Sequence, residues 1–137
     1  MYTGLRRSEL ASTVIDGEWI KIITGKQRKG MKEKSRSIPI SPMLNNILPL
    51  INIEAIKVVS VGVLTNRIKD IFTNHHLHDL RHTFITRAQE CGIRREIVSL
   101  WAGHKADSSI TTTVYTHFQE RSELQIAEMQ KYSYTYN

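Results

Sequence analysis

"HHLHDLRHTFITRA", residues 75–88, decides how this chain is read. Leu77, Leu80, Phe84, Ile85 and Ala88 recur at the spacing of one helical face, and Gly92 stands where a left-handed residue ends such a helix. His78 and Arg81 are three residues apart, so one turn presents both to the same side. A guanidinium is a planar fork of donors suited to two phosphate oxygens at once. His78 and His82, four apart, also share a face and have the spacing of a zinc pair. The metal reading is the weaker one. A zinc-protease helix places Glu directly after its first histidine, whereas the shorter Asp79 stands here. No third carboxylate ligand is evident, and Cys91 has no partner cysteine. His75 and His76 read as residues of an exposed turn, and His82 as structural.

Working outward, "LRRSELAS" (residues 5–12) predicts a short helix with Arg6 at its mouth, where a surface ion pair with Glu9 is the plain alternative to a functional role. "EWIKIIT" (18–24) and "SRSIPIS" (35–41) read as two strands, the second ending at Pro39. The stretch between them becomes the tip of a long hairpin containing Gly30. Ser41 and Pro42 make a good helix start, as N-cap and first helical residue. Residues 52–59 fit a helical turn or a strand equally. Leu64, Ile68, Ile71 and Phe72 predict an amphipathic helix over 61–73. "RREIVSLWAG" gives a helix ending at Gly103, and "ERSELQIAEMQKY" a closing helix. The end, "YSYTY" (132–136), alternates like a strand that could pair with a neighbouring subunit, but a disordered terminus is its default. The fold class is therefore α+β, mainly α-helical, with a small antiparallel sheet or hairpin, in a single domain over 1–137.

Composition narrows the partner. The 137 residues contain 40% hydrophobic and 23% charged types, enough for one core without staples. A single cysteine excludes an internal disulfide, and no apolar run approaches the roughly 20 residues that cross a bilayer. With no secretory leader visible, the expected location is cytoplasmic. The net charge of +6 points to a polyanion, and much of it is concentrated. In "KQRKGMKEKSR", residues 26–36, Lys26, Arg28, Lys29, Lys32, Lys34 and Arg36 face a single acid, Glu33. Cations at that density repel one another without a counter-surface, so Arg28, Lys29, Lys32, Lys34 and Arg36 are expected to contact DNA phosphates.

Five short segments then stand in order: "TGLRRSEL" (3–10), "GKQRKG" (25–30), "HDLRHTF" (78–84), "WAGHK" (101–105) and "TTTVYTH" (111–117). Together they resemble the tyrosine recombinase or phage integrase family, over nearly the whole chain, residues 3–118. The resemblance implies the family's largely helical catalytic domain and its chemistry. Tyr115 would attack a scissile phosphate of double-stranded DNA, leaving a 3′-phosphotyrosyl link and a free 5′ hydroxyl. Arg6 and Arg81 would grip the non-bridging oxygens, His104 would donate to the same phosphate, His78 would handle protons, and Lys26 would protonate the leaving oxygen. Asp79 and Glu9 would orient or pack. Exchange of one phosphoester for another needs neither ATP nor a metal, so no cofactor is expected, and recombination would proceed in a tetramer on DNA.

Three features depart from the family pattern. Lys29, Lys32 and Lys34 compete with Lys26 on the hairpin. The stretch from His104 to Tyr115 is slightly long, which leaves room for a flexible tyrosine segment. The sequence also opens at the first motif, without the preceding helix and DNA-gripping domain of the family, so it is expected to be truncated, with some apolar surface uncovered. A type IB topoisomerase-like enzyme and a non-catalytic DNA-binding remnant are the rival readings.

Overall fold

The computed structural model describes residues 2–24, 34–104, 117–118 and 120–133. Among these the chain is mostly helical, with one three-stranded antiparallel sheet in the order β1-β2-β3. A 3-10 helix, Arg7–Ser12, leads into β1 (Thr13–Asp16), then β2 (Trp19–Thr24) and β3 (Lys34–Pro39). The edge strand β1 was not foreseen. It is four residues long, and only Thr13 on it is buried, so the sequence offers little apolar alternation there. Strand β2 is legible because it alternates: Ile20 and Ile22 are buried, while Lys21 and Ile23 are exposed. Its pairing with β3 runs from Trp19 opposite Pro39 to Thr24 opposite Lys34, on either side of the basic stretch.

The helices are α1 (Pro42–Ile47), a 3-10 turn at Leu48–Leu50, α2 (Ile53–Val58), α3 (Val61–Ile71), α4 (Leu77–Glu90), α5 (Arg95–Ala102) and α6 (Ser122–Met129). Their starts follow local chemistry. Ser41, Asn52 and Ser60 each accept a backbone N–H in the first turn of α1, α2 and α3. The ambiguous 52–59 stretch is thereby settled as helix. At the start of α4, Asp79 takes the N–H of His76 at 2.7 Å, so this acid caps its helix. That bond, with His75 and His76 close by, holds the Asp79 carboxyl below its usual range.

Helices α4, α5 and α6 close over the sheet. Phe84, Ala88, Ile97, Trp101 and Met129 are fully buried with Ile22 and Ile38. Trp101 donates its indole N–H to Gln125 at 2.8 Å, and Gln125 donates to the Phe118 carbonyl, so α6 is tied to α5 by satisfied buried polar atoms. Tyr132 corrects the expectation for the chain end. It is 1% exposed, with its ring 5.2 Å from that of Phe84, and belongs to the core, while residues 134–137 lie outside the described residues. Helix α3 forms as expected but packs less than its periodicity suggests. Leu64 and Ile68 are half-buried and Ile71 and Phe72 are exposed, beside an equally exposed Val58 and Leu50.

The N-terminal segment is locked onto α4 through Gly4. Its φ is +59°, and a Cβ there would fall on the Phe84 ring, 2.9 Å from Cε1. Gly4→Ala therefore combines left-handed strain of about 1–3 kcal/mol with a displaced core aromatic. The expected result is a fall in Tm of at least about 5 °C by calorimetry. An unchanged Tm would mean that residues 2–5 are not part of the cooperative fold.

Candidate functional site

The site is built on the C-terminal end of α5. A helix ends with carbonyls that lack intrahelical partners, and each must find a donor. Gly103, in the left-handed conformation with φ +65°, turns the chain so that its own N–H bonds the Leu100 carbonyl at 2.9 Å and the His104 N–H bonds that of Ser99 at 3.1 Å. The next three carbonyls go to three arginines from distant parts of the chain. Arg36 Nε donates to Trp101 at 2.8 Å, an Arg81 Nη2 N–H to Ala102, and Arg6 Nη2 to Gly103 at 3.0 Å. The negative end of the α5 dipole favours this arrangement. Gly103 is required sterically as well, since a Cβ there would lie 3.0 Å from Arg36 Nη1.

Glu9 is the counter-charge. Its side chain is 4% exposed and accepts from Arg36 Nη1 at 2.5 Å, Arg36 Nη2 at 2.7 Å, Arg6 Nη1 at 3.1 Å and the Arg6 backbone N–H at 2.7 Å. The last bond is the carboxylate half of a capping box on the first 3-10 helix. Burial alone would raise its pKa. The hydrogen bonds of Arg36 and of the Arg6 N–H, with both positive charges, outweigh burial and hold Glu9 below the ordinary carboxylate range. Three guanidiniums against one carboxylate leave two positive charges in excess.

Arg81 is 4% exposed and also donates to the Gly4 carbonyl at 2.7 Å, which ties α4 to the N-terminal segment. Burial, then the like charges of Arg6 and Arg36, push its pKa down to about 10, so it stays charged at neutral pH. Arg6 is the open member of the three, 41% exposed in its side chain. Arg6 and Arg81 form the polar wall of a cavity of about 130 Å³ whose apolar side includes Leu64, Leu77 and Leu80. Low-polarity walls strengthen the field those cations project.

His104 stands beside this cluster. His104, exposed just past Gly103, has its pKa pushed below 6.5 by partial desolvation of its ring, then by the charges of Arg81, Arg6, Arg36 and His82. It is thus a neutral imidazole at pH 7, able to donate one hydrogen bond. His78 and His82 are both exposed on α4, with ring centroids 4.6 Å apart and planes at 88°. His82, expected to be structural, is exposed beside His78. His75 and His76 are exposed, as expected of a turn.

The structure thus brings Arg6, Arg81 and His104 together, with His78 on the same helix as Arg81. Tyr115, Lys26, Arg28, Lys29 and Lys32 lie outside the described residues, and of Lys34 only the β3 backbone is described. Arg36 is a correction. Expected to contact DNA from the basic hairpin, its side chain is 8% exposed and occupied by Glu9 and the Trp101 carbonyl. All three of its guanidinium nitrogens are engaged, so it organises the cluster from within. What the sequence concealed was its counter-ion, since Glu9 lies 27 residues away. Among the described residues no group of three or more His, Cys, Asp or Glu side chains is placed to hold a metal ion, and no helix is long and apolar enough to cross a membrane. Compared with known proteins, the chain gives no significant match to a family model, a curated protein or a solved structure.

Proposed function

We propose that this chain is the catalytic part of a tyrosine recombinase or integrase, cleaving and rejoining double-stranded DNA through a phosphotyrosyl intermediate. The observation that carries this reading is the convergence of Arg6, Arg81 and His104 on one end of α5, with two positive charges in excess. Each guanidinium has N–H donors beyond the two bonds seen for it, so a phosphate can be gripped without dismantling the cluster. In this mechanism Arg6 and Arg81 stabilise the charge on the pentacoordinate phosphorus, and His104 adds a neutral donor. Tyr115 Oη attacks phosphorus as His78 accepts its proton, and the bond to the 5′ oxygen breaks as Lys26 returns a proton to that oxygen. Phosphoester energy is conserved in the phosphotyrosine, so the reverse attack by a 5′ hydroxyl reseals the strand. Fixed guanidiniums take the electrostatic part that a metal ion plays in other phosphoryl transfers. Recombination itself would require a tetramer on DNA.

The test is a nicked duplex whose cleavage releases a short fragment, trapping any covalent adduct for a denaturing gel. An adduct supports the enzyme. Retarded but fully dissociable DNA supports a binding remnant. The same assay separates the hairpin lysines. Binding is expected to weaken with salt by about 0.9 log units per log unit of salt for each phosphate contact. Lys29→Ala with Lys32→Ala should flatten that dependence while adducts persist. Lys26→Ala should slow cleavage, and a bridging 5′ sulfur, which leaves without a proton, should restore it. Absence of rescue would assign the general acid to a different lysine.

A further inference from the structure

His78 and His82 form a pair on the surface of α4. Both rings are exposed on adjacent turns of α4 and stand edge to face against each other. A metal–nitrogen bond of about 2.1 Å puts an ion about 3.2 Å from the centre of each imidazole ring. At ligand angles of about 90–110° the two centroids then stand about 4.5–5.2 Å apart. The observed separation is 4.6 Å. We propose that His78 and His82 form a two-imidazole site for a borderline divalent transition ion (Zn²⁺, Ni²⁺ or Cu²⁺), and that its occupancy inhibits the enzyme. The inhibitory consequence rests on the proposed function, in which His78 moves a proton; the binding does not.

Ligand chemistry sets the selectivity. Imidazole suits Ni²⁺, Cu²⁺ and Zn²⁺, whereas Mg²⁺ prefers oxygen and keeps its waters. With no third protein ligand among the described residues, solvent completes the coordination, so the ion exchanges and a chelator removes it. The positive charge of Arg6, Arg36 and Arg81 repels a dication and keeps the affinity modest. An ion held by the lone pair of His78 leaves that nitrogen unable to accept a proton from a phenol. The ion is therefore an inhibitor, in contrast to the catalytic zinc that the same spacing suggests.

Ni²⁺ is the probe, titrated calorimetrically into the full 137-residue chain. Saturable binding is expected, weakened in His82→Gln by no less than the ~10-fold that even an outer-sphere partner contributes to a metal site. The double variant His75→Gln/His76→Gln should bind as the parent does, and Mg²⁺ should give no heat. On nicked DNA, Ni²⁺ should suppress adduct formation by the parent, EDTA should restore it, and His82→Gln should form adducts with or without Ni²⁺. Binding that ignores His82→Gln overturns the site. Binding that depends on His82 but leaves adduct formation unchanged overturns the inhibition. Should the metal-free parent form no adduct at all, the DNA-cleavage reading fails and the inhibition with it, while the calorimetry still decides the metal site.

Discussion

Tyr115→Phe abolishes the covalent protein–DNA adduct and leaves retardation of intact duplex unchanged: that is the expected result with the largest effect. Removal of a nucleophile lowers turnover by about 10⁶-fold, far below what a gel detects. Binding is retained because a single hydroxyl is lost while every cation of the chain remains to meet phosphates. Four other tyrosines compete, and the fold weighs against two of them. Tyr132 is 1% exposed against Phe84, and Tyr2 packs on the core. A buried phenol cannot align behind a phosphate. Tyr134 and Tyr136 lie outside the described residues, so peptide mapping of the adduct is the decisive measurement. A nucleotide attached within "YSYTY" would remove Tyr115 from the mechanism.

The second large effect is on stability. Glu9→Gln keeps an acceptor for the Arg6 N–H, so the first 3-10 helix retains its cap and the lost charge is isolated. It leaves Arg36, 8% exposed, without its carboxylate. Breaking a buried ion pair on one side costs about 3–5 kcal/mol, a large share of the ~5–15 kcal/mol that holds a domain together. Urea unfolding should show a markedly lower midpoint with an unchanged slope. The parent should also be acid-sensitive through this residue. Its folded pKa lies below the ordinary 4.5, so ionised Glu9 contributes stability that is complete above that value. The contribution is lost as pH falls through the depressed folded pKa. Glu9→Gln should lose that part of the acid dependence, and an unaltered midpoint and acid limb would show that the arginines do not need Glu9.

Legibility of the sequence followed the range of the interactions. Ser41–Pro42, Gly92 and Gly103 act within a turn of their own position, and each marked an element end correctly. The isoleucines of β2 announced a half-buried strand. Strand β1 was invisible because its pairing, Val14 opposite Lys21, lies in the partner and not in its own four residues. Helix α3 was visible as a period, but a period does not say what it packs against. Arg6, Arg81 and His104 were found as members of a familiar order of motifs. Arg36 was misassigned because charge density along a chain counts cations without showing which one meets a buried acid. Tyr132 was misread for the same reason: terminal position is local, whereas Phe84 is 48 positions away.

The arginines that close the end of α5 have a consequence for when the chemistry can exist. Their donors come from residues 6, 36 and 81, and their acceptors from 101, 102 and 103, a helix whose Trp101 is at the centre of the core. No contiguous fragment that stops short of α5 can assemble the arginine cluster, and loosening the core scatters it. A chain emerging from the ribosome, or one damaged and half-open, therefore carries these arginines without the geometry that gathers them. For the DNA cleavage proposed above, this coupling would be a safeguard written into topology: only the completed fold could cut.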